Sequence, residues 1–282
     1  MVRLFDPLAE QHFRNLSTNG YVSSSAKVCQ GAGTPTTTLG GPIGGGEAAN
    51  AEFTKRMSKV ESLHKKVSEL QNGQTSMALT LACLSTNKAV HSLRLAGDVI
   101  DETLLLQYDD TLRQAVSSSL ECDISNDSWE QSCRALDQGG LGIHLASEVA
   151  LPAALASRLT AAPIIDALGT EMERAGITAQ SMTAEFKNRT RVVERKLALT
   201  LQESPGLQEG LTRLCGEIRR AAEAKWYQYC GTQFFHLDDE DELEAASALA
   251  EVTTTEGALP TGPAAQRALV RHVFALKRNK FQ

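Results

Sequence analysis

Apolar residues recur at intervals of three and four along most of the chain, which is the spacing of an amphipathic helix. The clearest stretch is residues 47–71, where charged side chains fill the opposite face and the apolar positions are Phe53, Met57, Val60, Leu63, Val67 and Leu70. Asn72-Gly73 follows as a helix end. A second helix over residues 76–95 is expected to pack back antiparallel to the first, because the turn between them is short.

The helical spacing continues downstream of residue 100. A third helix is predicted to start at Asp101, a residue type that caps helices, and to carry Leu104, Leu105, Tyr108, Leu112, Val116 and Leu120. A short helix around Trp129 precedes a glycine turn at residues 139–142. Another helix is expected over residues 147–159.

Beyond residue 160 the pattern is interrupted and then resumes. Pro163, Gly169 and Gly176 break it, so a boundary between helical parts is predicted near residue 162. Two long helices are then expected, separated by Pro205-Gly206, over residues 181–203 and 207–229. The last part of the sequence contains, in order, an acidic run at 238–244, a linker at 257–263 and an amphipathic helix with Leu269, Val273 and Leu276.

The first 46 residues differ in composition from the rest. Residues 4–16 have the spacing of a short helix, whereas residues 17–46 are rich in Ser, Thr, Gly and Pro, and only Tyr21-Val22 and Thr36–Thr38 suggest strand. The predicted fold class is therefore mainly α, a helical bundle with a small irregular or β N-terminal part. The predicted divisions of the chain are residues 1–46, 47–160, 161–230 and 231–282.

Composition agrees with a helical, globular protein. Hydrophobic residues make up 42% of the chain, charged residues 22% and aromatic residues only 5%, so a core of Leu, Ala, Val and Ile is expected. No uncharged run that is also apolar approaches the roughly 18 residues of a membrane span, and the first residues do not resemble a signal peptide. An intracellular location, cytoplasmic or nuclear and without membrane association, is expected. The net charge of −6 argues against an autonomous nucleic-acid binder, although a local basic face is compatible with it.

The sequence contains no complete catalytic or metal-binding motif. The cysteines form no Cys-x-x-Cys pair and are expected to be reduced thiols, and no His lies beside a recognisable nucleophile turn. The glycine-rich residues 39–46 lack the Lys-Ser/Thr of a phosphate-binding loop. Tyr108-Asp109-Asp110 is similar to the carboxylate pair of polymerases, but consecutive residues of a helix diverge by about 100°. We interpret both as surface carboxylates, and predict no catalytic residue, metal ion or cofactor.

Two of the predicted helices carry clusters of basic residues. The cluster on the helix at 47–71 contains Lys55, Arg56, Lys59, Lys65 and Lys66. The cluster on the helix at 181–203 contains Lys187, Arg189, Arg191, Arg195 and Lys196. Either cluster could face the phosphates of a nucleic acid, and the alternative is that both are solvated faces balanced by nearby glutamates.

Short motifs occur in a particular order between residues 15 and 160. They are Gly20-Tyr21-Val22, Lys27-Val28-Cys29, Leu39-Gly40-Gly41-Pro42-Ile43-Gly44, a long helix, His91-Ser92-Leu93-Arg94, Ser128-Trp129, Gly139-Gly140-Leu141-Gly142-Ile143 and residues 151–157. This order resembles the downstream half of the reverse transcriptases of non-LTR (LINE-like) retroelements. In that family a lysine turn and a primer-gripping Leu-Gly turn precede a helical thumb.

The resemblance implies a thumb-like bundle that contacts a primer–template duplex or an RNA–DNA hybrid. The residues that it places at this contact are Lys27, Leu39, Gly40, Lys55, Lys59 and Arg94. Nothing in the chain corresponds to the fingers or to the metal-binding carboxylates of the family, and Arg134-Ala135-Leu136 replaces its usual Leu-Pro. The chain is expected to be a truncated or decayed copy without polymerase activity, with at most weak binding to a nucleic-acid backbone.

Two other functions remain open at this point. The first is a non-catalytic interaction module that packs the apolar stripe of residues 47–71 against a helical protein partner. The second is an enzyme whose site is assembled only in the fold from residues distant in sequence.

Overall fold

The helical spacing of the sequence corresponds to helices over most of the residues that the structure describes. The computed structural model describes residues 45–226, apart from 71, 177, 179 and 202–204, together with four short strands before residue 45, the end of the last helix and Leu269. The helices are α1 (Gly46–Ser68), α2 (Gly73–Leu79), α3 (Val90–Ala96), α4 (Glu102–Leu120), α5 (Asn126–Ser132), α6 (Ala146–Arg174), α7 (Gln180–Thr200) and α8 (Pro205–Gln233). The predicted fold class, mainly α, is confirmed.

The described strands are two or three residues long and form two separate pairs. The strand β1 (Val2–Arg3) is parallel to β2 (Val28–Cys29), and β3 (Thr36–Thr38) is antiparallel to β4 (Gly41–Ile43). The strand suggested at Thr36–Thr38 is therefore present. The predicted helix at residues 4–16 and the strand at Tyr21-Val22 lie outside the described residues.

The chain divides into two compact units that differ from the predicted divisions. Unit 1 contains Met1–Leu84 and Val99–Asp123, and unit 2 contains Ser85–Asp98 and Ile124–Gln282. The predicted bundle at residues 47–160 is thus shared between them.

Unit 1 is built around the contact between α1 and α4. Of the predicted apolar stripe, Phe53, Met57 and Val60 are buried, Leu63 and Val67 are half-buried, and Leu70, beyond the end of α1, is exposed. The ring centroid of Phe53 lies 5.7 Å from that of Tyr108 on α4. Asp101 precedes α4 as predicted, but its side chain does not cap that helix. Instead the Asn50 amide donates to its carboxylate over 2.5 Å and accepts from its backbone N–H over 2.9 Å. These bonds fix the start of α4 against α1.

The single helix predicted over residues 76–95 is wrong, because the backbone changes form three times within it. The helix α2 ends at Leu79 and is followed by a π-helical turn (Thr80–Leu84), a 3₁₀ turn (Thr86–Lys88) and then α3. Hydroxyl and amide side chains compete with helical backbone bonding here. Asn72 accepts from the backbone N–H of Thr75 and caps α2 rather than ending α1, and the Thr86 hydroxyl donates to the carbonyl of His144.

Unit 2 is organised around α6, against which α3, α7 and α8 pack. Small residues on α6, including Ala150 and Ala153, are fully buried and let the neighbouring helices approach closely. At the end of α3 a Cβ on Gly97 would stand 2.5 Å from the carbonyl oxygen of Ala150. The core cluster of the unit contains Leu155, Leu159, Val193, Leu197, Leu201, Leu211, Cys215, Ile218 and, from the predicted C-terminal helix, Leu269.

The boundary predicted near residue 162 does not coincide with a helix end. The helix α6 runs without a break from Ala146 to Arg174, with Pro163 and Gly169 inside it. An interior proline costs roughly 3 kcal/mol, and burial of the apolar residues of α6 offsets that cost. The two long helices predicted around Pro205-Gly206 are present as α7 and α8, and Pro205 is the first residue of α8, where its missing N–H is not needed. The acidic run at 238–244 and the linker at 257–263 lie outside the described residues.

The composition of α6 also meets the simplest criteria for a membrane-spanning helix. An 18-residue window has a mean hydropathy of 1.3, and half of that window is buried inside the protein. Core helices of soluble proteins meet the same criteria, so the length and composition of α6 are weak evidence for a membrane span.

Candidate nucleic-acid interface

The polar side of α1 presents a row of exposed lysines. Lys55, Lys59, Ser62 and Lys66 are spaced by four, three and four residues, so they share one side of the helix, and all four are exposed. We call them the lysine face. None of its three lysines forms an ion pair with a described residue. Its acidic neighbour Glu52 lies 3.6 Å from Arg56 and is partly neutralised by it.

The structure describes three of the six residues predicted to contact nucleic acid, and it divides them between the two units. Lys55 and Lys59 lie together on α1, in unit 1. Arg94 is half-buried near the end of α3, in unit 2. Lys27, Leu39 and Gly40 lie outside the described residues. Only Lys55 and Lys59 are therefore brought together within one described surface, and Lys66, which the motif comparison did not select, extends it.

Asp109 and Asp110 lie within α4 and not on a β-hairpin, as their helical spacing indicated. Asp110 is exposed, but the prediction that Asp109 is a surface carboxylate is wrong, since only 6% of it is exposed. Asp109 follows Leu105 by four residues and precedes Leu112 by three, so it lies on the buried side of the helix. Burial raises the pKa of the neighbouring Tyr108, the charge of Asp109 raises it further, and Arg56 opposes both.

Among the described residues, no three His, Cys, Asp or Glu side chains lie close enough together to hold a metal ion. No family model, curated protein or solved structure matches the chain. The likeness to reverse transcriptases therefore rests on the sequence motifs alone.

The basic cluster on α7 is only partly a solvated face. Arg189 lies 3.5 Å from the carboxylate of Asp98, and the Lys196 ammonium donates to the backbone carbonyl of Asp98 over 3.2 Å. Lys187 lies 2.9 Å from the carboxylate of Asp166. Arg191 and Arg195 are exposed and make no ion pair with a described residue. The cluster thus divides into side chains that hold α7 in unit 2 and side chains that face solvent.

A polar cleft between α1 and α4 was not predicted from the sequence. Its volume is about 280 Å³, and its lining residues are Glu61, His64, Lys65, Ser68, Thr111, Gln114, Ala115 and Ser118. His64 is 7% exposed, and neither of its ring nitrogens has a hydrogen-bond partner. No Ser–His or His–carboxylate pair of the kind that activates a nucleophile exists at His64. Its position four residues after Val60 places it on the buried stripe, and that spacing could have identified it.

We expect His64 to make unit 1 less stable in acid. Burial lowers the pKa of His64 below its ordinary value of 6.5. The nearby backbone of Leu84 raises this pKa by less than burial lowers it, and it makes no hydrogen bond to the ring. As pH falls below 6.5 the unfolded chain binds a proton that the folded chain resists. The free energy of unfolding therefore has its full value above pH 6.5. It decreases as the pH falls from 6.5 to the lower pKa that His64 has in the folded state.

Urea unfolding near pH 7.5 and near pH 5 measures this effect, since histidine titrates between them. His64→Gln removes the titrating group, so the variant should lose less stability than the wild type between the two values. His91→Gln, at an exposed position of α3, is the control and should lose as much as the wild type. An equal loss in His64→Gln and wild type would contradict the assignment.

Proposed function

We propose that this chain is a non-catalytic protein that binds the backbone of a nucleic-acid duplex, such as a primer–template or RNA–DNA hybrid, weakly and without base readout. The observation that carries the proposal is the lysine face of α1, which is exposed and free of ion pairs with described residues. The sequence motifs that resemble the downstream part of a reverse transcriptase support the same function.

The dimensions of the lysine face suit a phosphate backbone. Lys55 and Lys66 are separated by 11 residues of helix, or about 16 Å. A duplex strand presents a phosphate charge every ~3.4 Å along the axis, so each ammonium can meet a separate phosphate. Contacts of this kind position a protein on a duplex but do not select a sequence.

The packing of unit 1 limits the alternative function, in which the apolar stripe of residues 47–71 binds a helical protein partner. The first half of the apolar stripe of α1 is buried in unit 1, where Phe53 and Val60 are each 1% exposed, whereas Leu70 at its end is 43% exposed. A helical partner would therefore need a surface other than the buried half of the stripe. The second half of α6 offers one, since Ile164 and Leu168 are 48% and 47% exposed and one helical turn apart. Concentration-dependent self-association without any nucleic-acid binding would favour this second function.

Removing the lysines tests the proposal. We expect Lys55→Gln/Lys59→Gln/Lys66→Gln to weaken binding to a labelled RNA–DNA hybrid. It should also reduce the slope of log affinity against log salt by about 3, because each phosphate contact contributes roughly one unit. Fluorescence anisotropy over a salt series measures both quantities.

A matched pair of single variants provides the control. Lys59→Gln should reduce the salt slope by about 1. Lys65→Gln removes the same charge from the same helix, at an exposed position that borders the cleft and not the lysine face, and should leave the slope unchanged. Equal effects of the two single variants, or no binding by the wild type, would refute the proposal.

A further inference from the structure

The outer side of α7 carries three cations at intervals of four residues. We call this set the arginine row; it consists of Lys187, Arg191 and Arg195, and all three side chains are exposed. Lys187 forms an ion pair with the half-exposed Asp166. The arginine row lies in unit 2, in a part of the sequence beyond the motifs that resemble reverse transcriptases. The sequence leaves open whether these cations face phosphates or solvent.

Nearby acidic groups do not neutralise the two arginines. Glu194 follows Arg191 by three residues, but Arg219 of α8 already binds its carboxylate, with 2.6 Å between the charged atoms. Arg195 has no acidic residue three or four positions away on its helix. The other cations of α7, Arg189 and Lys196, are turned to Asp98 and hold the helix in place.

Such a row costs stability when nothing is bound to it. Like charges four residues apart on a helix destabilise it by roughly 0.2–0.5 kcal/mol per pair, and the arginine row contains two such pairs. The side chain of Asn188, three residues before Arg191, adds hydrogen-bond donors to the same surface. A bound polyanion would remove the repulsion and accept from these donors, so its binding would stabilise the row.

We propose that the arginine row is a second nucleic-acid-binding surface, which contacts consecutive phosphates of one strand. Lys187 and Arg195 lie eight positions apart, or about 12 Å along the helix axis, which is the axial rise of three to four phosphates. Guanidinium groups suit this role because their planar donors bind phosphate oxygens in pairs and stay charged at any physiological pH. This inference extends the proposed function, because it adds phosphate contacts in unit 2 to those of the lysine face in unit 1.

The test compares variants of the two surfaces in the full chain. Arg191→Gln/Arg195→Gln should reduce the salt slope of binding to the labelled RNA–DNA hybrid by about 2. The variant should fold normally, because glutamine is a good helix former and the repulsion is removed. Urea unfolding confirms this when its midpoint is equal to or higher than that of the wild type.

Two controls make the result specific. Arg213→Gln/Arg220→Gln removes two exposed arginines from α8 and should change the slope by less than half as much as the arginine-row variant. Arg191→Lys/Arg195→Lys keeps both charges and should retain the slope while losing affinity, because the paired donors are lost.

The outcomes separate this inference from the proposed function. If only the lysine-face variant loses salt slope, the arginine row does not contact phosphates, and the proposed function stands. If only the arginine-row variant loses salt slope, the arginine row contacts phosphates and the lysine face does not. Binding of an acidic peptide that depends on Arg191 and Arg195, without any effect of these residues on the hybrid, would also overturn the inference, because the ligand would then be a protein.

Discussion

Gly140→Ala is expected to destabilise unit 2 by roughly 3 kcal/mol, at the upper end of the cost of overpacking. A Cβ at Gly140 would overlap the carbonyl oxygen of Arg134 and stand 2.7 Å from that of Gln131. Both are backbone atoms, so no side chain can rotate away. The Arg134 carbonyl also accepts from the N–H of Gly142 over 2.8 Å, so displacing it breaks the turn.

Urea unfolding followed by circular dichroism measures the effect of Gly140→Ala. Gly216→Ala in α8 is the matched control in the same unit, because a Cβ there meets nothing within 4 Å. It should stabilise the protein by about 0.5–1 kcal/mol, since alanine loses less conformational entropy than glycine in a helix. Equal unfolding midpoints for Gly140→Ala and the wild type would show that the turn does not hold the backbone this closely.

Helices whose apolar spacing is uninterrupted were predictable from the sequence. The apolar positions of α1 and α4 are regular; α1 ends three residues before its predicted end, and α4 begins directly after Asp101 as predicted. The short helix predicted around Trp129 is also present. The breaks were less predictable, because a helix interruption depends on tertiary bonds. The Thr86 hydroxyl donates to a carbonyl 58 residues away, and no local pattern contains that contact.

Prolines and glycines were misleading where tertiary packing outweighs local preference. Pro163 and Gly169 suggested a boundary, but α6 continues through both because its alanines and leucines are buried among α3, α7 and α8. Local preferences of a few kcal/mol are smaller than the burial of a whole helix face.

The candidate surfaces were predictable in part. Helical spacing places Lys55 and Lys59 on the polar side of α1, and the structure agrees. Spacing cannot show which cations are paired, because the partners come from other helices. Arg189 and Arg191 are both arginines of the same predicted helix, yet Arg189 is bound to Asp98 and Arg191 faces solvent. Asp109 and His64 are buried because they lie on the buried sides of their helices. Their polarity alone had suggested that they would be exposed.

Arg158→Leu is expected to lower the free energy of unfolding by about 2–3 kcal/mol. Arg158 donates to both carboxylate oxygens of Asp98 over 2.9 and 3.0 Å, and the two side chains are only 11% and 7% exposed. Removing one partner of a buried ion pair costs roughly 3–5 kcal/mol, because the other charge stays buried. Arg189 remains 3.5 Å from Asp98 and reduces that cost.

The comparison with an exposed ion pair shows whether burial is the cause. Arg174→Leu breaks a shorter pair, 2.6 Å from Glu171, but these side chains are 72% and 43% exposed. Exposed pairs contribute about 0–1 kcal/mol, so Arg174→Leu should have a much smaller effect than Arg158→Leu. In the double variant Asp98→Asn/Arg158→Leu the unpaired charge is gone, so its destabilisation should be smaller than the sum of the two single effects. Additive effects would show that Asp98 does not join α3 to α6.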